Sequence, residues 1–170
     1  MLIITYLNCG LKNTSWKLII IYLILVGLDL LTTYIGTPDF KYEGNLIIRY
    51  LDLSWTLLIT AAFGGSIILL FLFLTTLGYL TVKKRSCKKT SFNTIPIIAF
   101  YYHLFYSAFA VPNNILSSIY IHRSTHFEWL STYYIQIVYL LHPIFYPLIM
   151  LIFFCVSLAY SIVKIKKNNT

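Results

Sequence analysis

The sequence predicts an all-α integral membrane protein, a four-helix bundle with both termini in the cytoplasm. Three observations predict it. Of the 170 residues, 59% are hydrophobic and only 11% charged, less than half the roughly 25% charged share of a soluble domain. The apolar residues fall into four blocks, each long enough for the roughly 20-residue helix that crosses a bilayer. The basic residues gather between and after these blocks rather than within them. With a mean hydropathy of +0.78, these features exclude an ordinary soluble globule and a disordered chain.

The elements follow in order, as one four-span domain over residues 1–170. The leader Met1–Leu11 is partly apolar, too short to cross, and suited to the membrane interface. Span one runs over about Trp16–Gly36. Lys12 and Lys17 precede its apolar stretch as in a signal peptide, but Asp29 interrupts that stretch and no small-residue cleavage pattern follows, so an uncleaved span is expected. Gly36, Pro38 and Asp39 mark a turn. Asn45 is placed to cap a short interfacial helix over Leu46–Leu51, with Arg49 in reach of Glu43 or Asp29. Span two, about Leu53–Val82, carries Ala61, Ala62, Gly64, Gly65 and Ser66, a small-residue patch of the kind that lets helix backbones approach. Span three runs over about Ile95–Ile121, with Pro112 removing one backbone donor and Asn113 and Asn114 placed to satisfy freed backbone groups. Span four runs over about Tyr134–Val163, with Pro143 and Pro147 predicting a distorted helix.

Orientation follows from Lys and Arg. Lys12 and Lys17, the loop cluster Lys83, Lys84, Arg85, Lys88 and Lys89, and the tail residues Lys164, Lys166 and Lys167 fall on one side; only Lys41, Arg49 and Arg123 fall on the other. The positive-inside rule places the richer side in the cytoplasm. Trp16, Trp55 and Trp129 sit at span edges, where indole rings favour the interface. The same flanking positions explain the net charge of +8 as a topology signal, so no nucleic-acid partner is expected. Cys9, Cys87 and Cys155 all fall inside, so no disulfide framework is implied. Cys87 lies beside five cations, which favour a thiolate, although an incidental loop cysteine explains it as well.

Polar residues within the spans nominate a site. A central Asp in lipid costs about 2.5–3.5 kcal/mol on translocon scales, so such residues turn inward and find partners. Asp29 lies seven residues before the end of span one, with Thr32 and Thr33 on the same helix face. Asn114 lies seven residues before the end of span three, and His142 eight residues into span four, with Tyr139 and Tyr146 at i−3 and i+4. Counted from the outer ends, Asp29, Asn114 and His142 fall within about one helical turn of one level, near Thr60 and beneath Glu43 and Asn45. The expected ligand-binding set is therefore Asp29, Thr33, Glu43, Asn45, Asn114 and His142, around a small outward-opening polar cavity. His103, on the face of Asn114 but roughly 16 Å along the helix, lies outside it. Each has a purely structural reading as well: Asp29 fixing helix packing, Asn114 repairing the Pro112 site, His142 as a satisfied core histidine.

Asp29-Leu-Leu-Thr32-Thr33 followed by Glu43-Gly-Asn45 resembles a pattern in small uncharacterised prokaryotic multi-span membrane proteins, D-x-x-T-T or D-x-x-x-T and then E-x-N-P; here Leu46 stands where that family has proline. The likeness covers about Leu28–Arg49. It implies a four- or few-span fold of unknown activity and supports treating Asp29, Thr33, Glu43 and Asn45 as a unit; the expected location is the cell membrane, that of a prokaryote. The topology, Asp29 and the Pro96–His103 stretch are also similar to the EXPERA group of four-span sterol isomerases and sterol-binding proteins, but the acid pair of an isomerase site is absent from the spans.

Three functions are open to such a chain. A binding or accessory protein would hold a lipid, a small apolar ligand or a partner helix, with fifteen tyrosines and twelve phenylalanines as lining. An enzyme would use Asp29 and His142 as an acid/base pair, but HExxH and G-x-S-x-G are absent. Asp29, His142 and Glu43 have no metal-site spacing, so neither metal nor cofactor is expected. A transporter or channel subunit would use Asp29 for protons or cations and would need a homo-oligomer and a polar path from Asn114 down to His103. The first reading asks least of the sequence.

Overall fold

The computed structural model of the chain describes residues 2–38, 54–84, 94–122, 126–141 and 144–169. They form six helices and, among the described residues, no strand: α1 Leu2–Asn13, α2 Trp16–Gly36, α3 Trp55–Lys84, α4 Ile95–His122, α5 Glu128–Leu140 and α6 Phe145–Asn169. Four stretches are long and apolar enough to cross a membrane: Trp16–Gly36, Trp55–Val82, Ile95–His122 and Phe145–Val163. The first three coincide with the expected spans to within two residues.

The fourth does not. The expected span over about 134–163 is two helices, and its amino-terminal part is α5, whose 13 residues are too few to cross. Proline explains the break. Pro143 disfavours helical geometry in the residue before it, and α5 ends at Leu140. The Leu141 carbonyl then accepts from both the Ile144 and Phe145 N–H groups, at 2.7 and 2.9 Å, as the chain re-enters a helix. Pro147 falls in the first turn of α6, where a missing N–H removes no intrahelical bond. Pro112, by contrast, is carried inside α4 without ending it.

α4 is the central element, packed against α2, α3, α5 and α6. Matched contacts give the helix directions. Tyr22 meets His103, Asp29 meets Asn114, and Gly36 meets His122, so α2 and α4 run parallel. Tyr101 meets Tyr160 and Phe109 meets Phe153, so α6 runs antiparallel to α4. Tyr22 meets Ser66 and Tyr34 meets Trp55, so α3 runs antiparallel to α2. The layer thus has a proximal half, where α2 and α4 begin, and a distal half, where they end.

The core fills the proximal half. Ile19, Tyr22 and Val26 of α2, Phe73, Leu74 and Leu77 of α3, and Ile97, Phe100, Tyr101 and Leu104 of α4 form one buried cluster. Phe73 and Phe100 stack with centroids 4.0 Å apart, and Tyr101 meets Phe73 edge-on. The leader segment is helix α1, docked across α3. A Cβ on Gly10 would lie 1.9 Å from the Leu74 carbonyl oxygen, and one on Gly78 would lie 1.7 Å from that of Tyr6. Only glycine permits that approach. The close-packing role expected of Gly64 and Gly65 is corrected here: a Cβ on either meets nothing within 4 Å.

Candidate polar site between α2 and α4

Asp29, Thr32 and Thr33 occupy one face of α2, as their spacing requires. The Thr32 and Thr33 hydroxyls donate to the Asp29 carbonyl oxygen at 3.1 and 2.8 Å. Those protons are committed within α2, so the hydroxyl lone pairs are offered outward. Across the helix contact stands the Asn114 amide of α4. Its Nδ2 lies 2.9 Å from Thr33 Oγ1, 3.0 Å from Asp29 Oδ1, 3.3 Å from Thr32 Oγ1 and 3.5 Å from the Asp29 carbonyl oxygen. An amide has two N–H groups, so four oxygens compete for two donors. The two shortest, to the Thr33 hydroxyl and the Asp29 carboxylate, carry the contact.

The cluster extends in the other direction. Asn113 Nδ2 lies 3.3 Å from Asn114 Oδ1 and donates to it. The Tyr134 hydroxyl of α5 donates to Asn113 Oδ1. Donors and acceptors therefore run one way: Tyr134 to Asn113, Asn113 to Asn114, Asn114 to Asp29 and Thr33. Bonds aligned in this sense polarise one another. Burial, reinforced by neighbouring Tyr146, pushes the Tyr134 phenol up to about 12, which keeps it a donor at neutral pH. The chain of bonds joins three helices, α2, α4 and α5.

Two further polar contacts lie on the α2–α4 line. At the distal end, His122 Nε2 donates to the Gly36 carbonyl oxygen at 3.2 Å, beside Ser118 at the Gly36 Cα. In the proximal half, Tyr22 and His103 Nδ1 share a hydrogen bond at 3.0 Å. At levels between His103 and Asn114 lie Val26, Ser107 and Ala110, all buried, and the Ser107 hydroxyl has no hydrogen-bond partner among the described residues. No described hydrogen bond carries the distal cluster down to His103.

The structure thus brings together Asp29, Thr33 and Asn114 of the expected set. Glu43, Asn45 and His142 lie outside the described residues, as do Arg49, Cys87 and the expected Leu46–Leu51 helix. The i−3 and i+4 relation of Tyr139 and Tyr146 to His142 presupposed one continuous helix, and the break between α5 and α6 removes it. Thr60 is exposed and its hydroxyl donates to the Thr56 carbonyl, so it does not join the site. Asn113 and Tyr134 were not anticipated. Asn113 uses its side chain between helices rather than on the backbone freed by Pro112. Neither of two shallow surface depressions, one of about 430 Å³ between α4 and α5 and one of about 480 Å³ on α5, is lined by Asp29 or Asn114.

Chemically, the described site can hold helices in register and exchange hydrogen bonds. It contains one carboxylate, two carboxamides, two hydroxyls and a phenol. Among the described residues, no group of three or more His, Cys, Asp and Glu residues is placed to hold a metal ion. Compared with known proteins, the chain matches no family model, no curated protein sequence and no solved structure.

Proposed function

We propose that this chain is a multi-pass membrane protein of the binding or accessory kind, with both termini and the 85–93 segment in the cytoplasm. Its polar centre is the Asp29–Thr33–Asn114 cluster, which engages a lipid headgroup, a small ligand or a partner helix from the distal side. The observation that carries this reading is the Asn114 amide set among four oxygens of α2. A ligand bearing a hydroxyl, amide or ammonium group has the donors that such carboxylate and hydroxyl oxygens accept from. The basic residues on one side support the orientation, and the likeness of Asp29–Thr33 to the prokaryotic D-x-x-T-T pattern supports the plasma membrane of a prokaryote.

The alternatives have less support. An enzyme needs the Asp29–His142 pair, and the groups described around Asp29 are amides and hydroxyls rather than a nucleophile with its base. Transport needs a polar path from Asn114 to His103, and no described hydrogen bond runs between them, while Val26 and Ala110, at levels between the two, are buried apolar residues.

Native mass spectrometry of the protein released from detergent tests the proposal. The expected result is an adduct of fixed mass that is lost in Asp29→Asn and in Asn114→Leu. Bare protein in the wild type as well as in both variants would overturn ligand binding at this site.

A further inference from the structure

We propose that α5 lies along the membrane surface at the distal face, with Trp129, Tyr133, Ile137 and Leu140 set into a zwitterionic phospholipid leaflet. The proposal rests on the four long helices being membrane spans. Connectivity places α5 first. α4 ends at His122 and α6 begins at Phe145, and because these helices are antiparallel both attachment points lie at the distal face. Five residues join α4 to α5 and four join α5 to α6. A 13-residue helix is about 20 Å long, short of the roughly 30 Å hydrocarbon core.

The contacts tie α5 to the distal half of α4 and to the start of α6. Tyr120 of α4 borders Thr132, Ile135, Gln136 and Tyr139, two turns of α5, around the depression of about 430 Å³. Tyr134 reaches Asn113 of α4 and also the Phe145 ring at the start of α6. Ser131, Tyr134, Ile135 and Val138 make the inward face, and Ser131 is fully buried.

Among the described residues nothing covers the opposite face. Trp129 is 61% exposed, Tyr133 62%, Ile137 50% and Leu140 83%. A stripe of this size left to water is costly, and its chemistry is that of the interface: indole and phenol rings with aliphatic side chains between them. Charge selects the lipid. Residues 124–141 contain no Lys or Arg, and Glu128 is their sole acid. Anionic leaflets are recognised by basic segments, which this helix does not offer. Tyr120, Gln136 and Tyr139 at the depression carry hydroxyl and amide groups, which pair with the ester and phosphate oxygens of a zwitterionic lipid as well as with water.

Tryptophan quenching tests this. One variant keeps only Trp129 (Trp16→Phe with Trp55→Phe), and a second keeps only Trp16 (Trp55→Phe with Trp129→Phe). Both are reconstituted in phosphatidylcholine vesicles brominated near the headgroup or near the chain end. The expected result is stronger quenching of Trp129 by the shallow bromines, at a depth of roughly 5–10 Å into the headgroup and acyl boundary, unchanged when phosphatidylglycerol is added. Trp129 quenched by aqueous acrylamide and by neither bromolipid, while Trp16 is quenched by bromolipid, overturns the placement of α5 alone. If neither tryptophan meets bromine, the membrane-span reading fails with it. A depth that shifts with phosphatidylglycerol overturns the zwitterionic assignment. Trp55 bonds the Pro38 carbonyl, so a second probe, an environment-sensitive dye at Leu140→Cys with Cys9, Cys87 and Cys155 replaced by Ser, keeps Trp55 in place and must report the same depth.

Discussion

Where α2 and α4 begin, they meet through Tyr22, Val26, Phe100 and Leu104, with Phe73 of α3 stacked on Phe100. Where they end, they meet through a carboxylate, a carboxamide and two hydroxyls. The proximal half is held by shape and the distal half by direction. Lipid tails are as apolar as leucine, so helices in a bilayer gain little from apolar character and must gain from fit. Stacked rings give that fit but tolerate small slips. The Asn114 amide does not: moving α4 by one residue along α2 would carry it away from both Asp29 and Thr33. The comparison therefore assigns most of the stability to one half and the register to the other.

The sharpest way to break the comparison is in the packed half. Phe100→Ala removes the ring stacked at 4.0 Å on Phe73 and leaves a cavity, at an expected cost of about 3–5 kcal/mol, read from unfolding in mixed detergent micelles. A loss near 1 kcal/mol would show that the proximal half relaxes freely. Next is the crossing of α1 and α3. Gly78→Ala puts a methyl on the Tyr6 carbonyl and is expected to cost about 1–3 kcal/mol by overpacking. Gly65→Ala, in open space, is expected to change stability by about 0.5 kcal/mol or less. Equal effects at the two positions would refute the docking of α1.

The distal half is expected to give smaller energies and larger coupling. A double-mutant cycle on Asp29→Ala and Asn114→Ala isolates their bond. The expected coupling is about 0.6 kcal/mol and no more than about 1.7, the range found for hydrogen bonds within membranes. Zero coupling, with each single variant destabilised alone, would mean that the two residues act through other partners.

The sequence shows some of this and hides the rest for physical reasons. Asp29 and Asn114 were legible as a pair because a polar group in lipid must find a partner, and equal depth narrows the choice. The four apolar stretches were legible because their length is set by the bilayer. The end of α5 was not, because hydropathy runs through Leu140 and Leu141 and only Pro143 marks the stop. Gly64 and Gly65 were misread because a small residue shows where a backbone can approach, not whether a neighbour is there. Gly10 and Gly78 lie far apart in the chain, and nothing local pairs them. Asn113 was assigned to the backbone because Pro112 precedes it, whereas its partner Tyr134 sits on a helix whose position depends on the break that was missed.

The smallest expected effect isolates the end of the hydrogen-bonded chain. Tyr134→Phe keeps the ring against Phe145 and removes only the hydroxyl that donates to Asn113. The expected loss is about 0.5 kcal/mol at neutral pH. The pH dependence separates this bond from mere packing. The folded chain holds the phenol's proton up to about 12, against 10.0 for the free group, chiefly through burial. From neutral pH to about 9 both folded and unfolded chains keep that proton, so the difference between wild type and variant should stay flat. Above about 10 the unfolded wild type releases its proton first, and the wild-type advantage falls as pH rises toward 12. Unfolding midpoints of the two proteins across that range provide the measurement. A difference that changes between pH 6 and 9 would mean that another group, and not the Tyr134 hydroxyl, controls the link between α5 and Asp29.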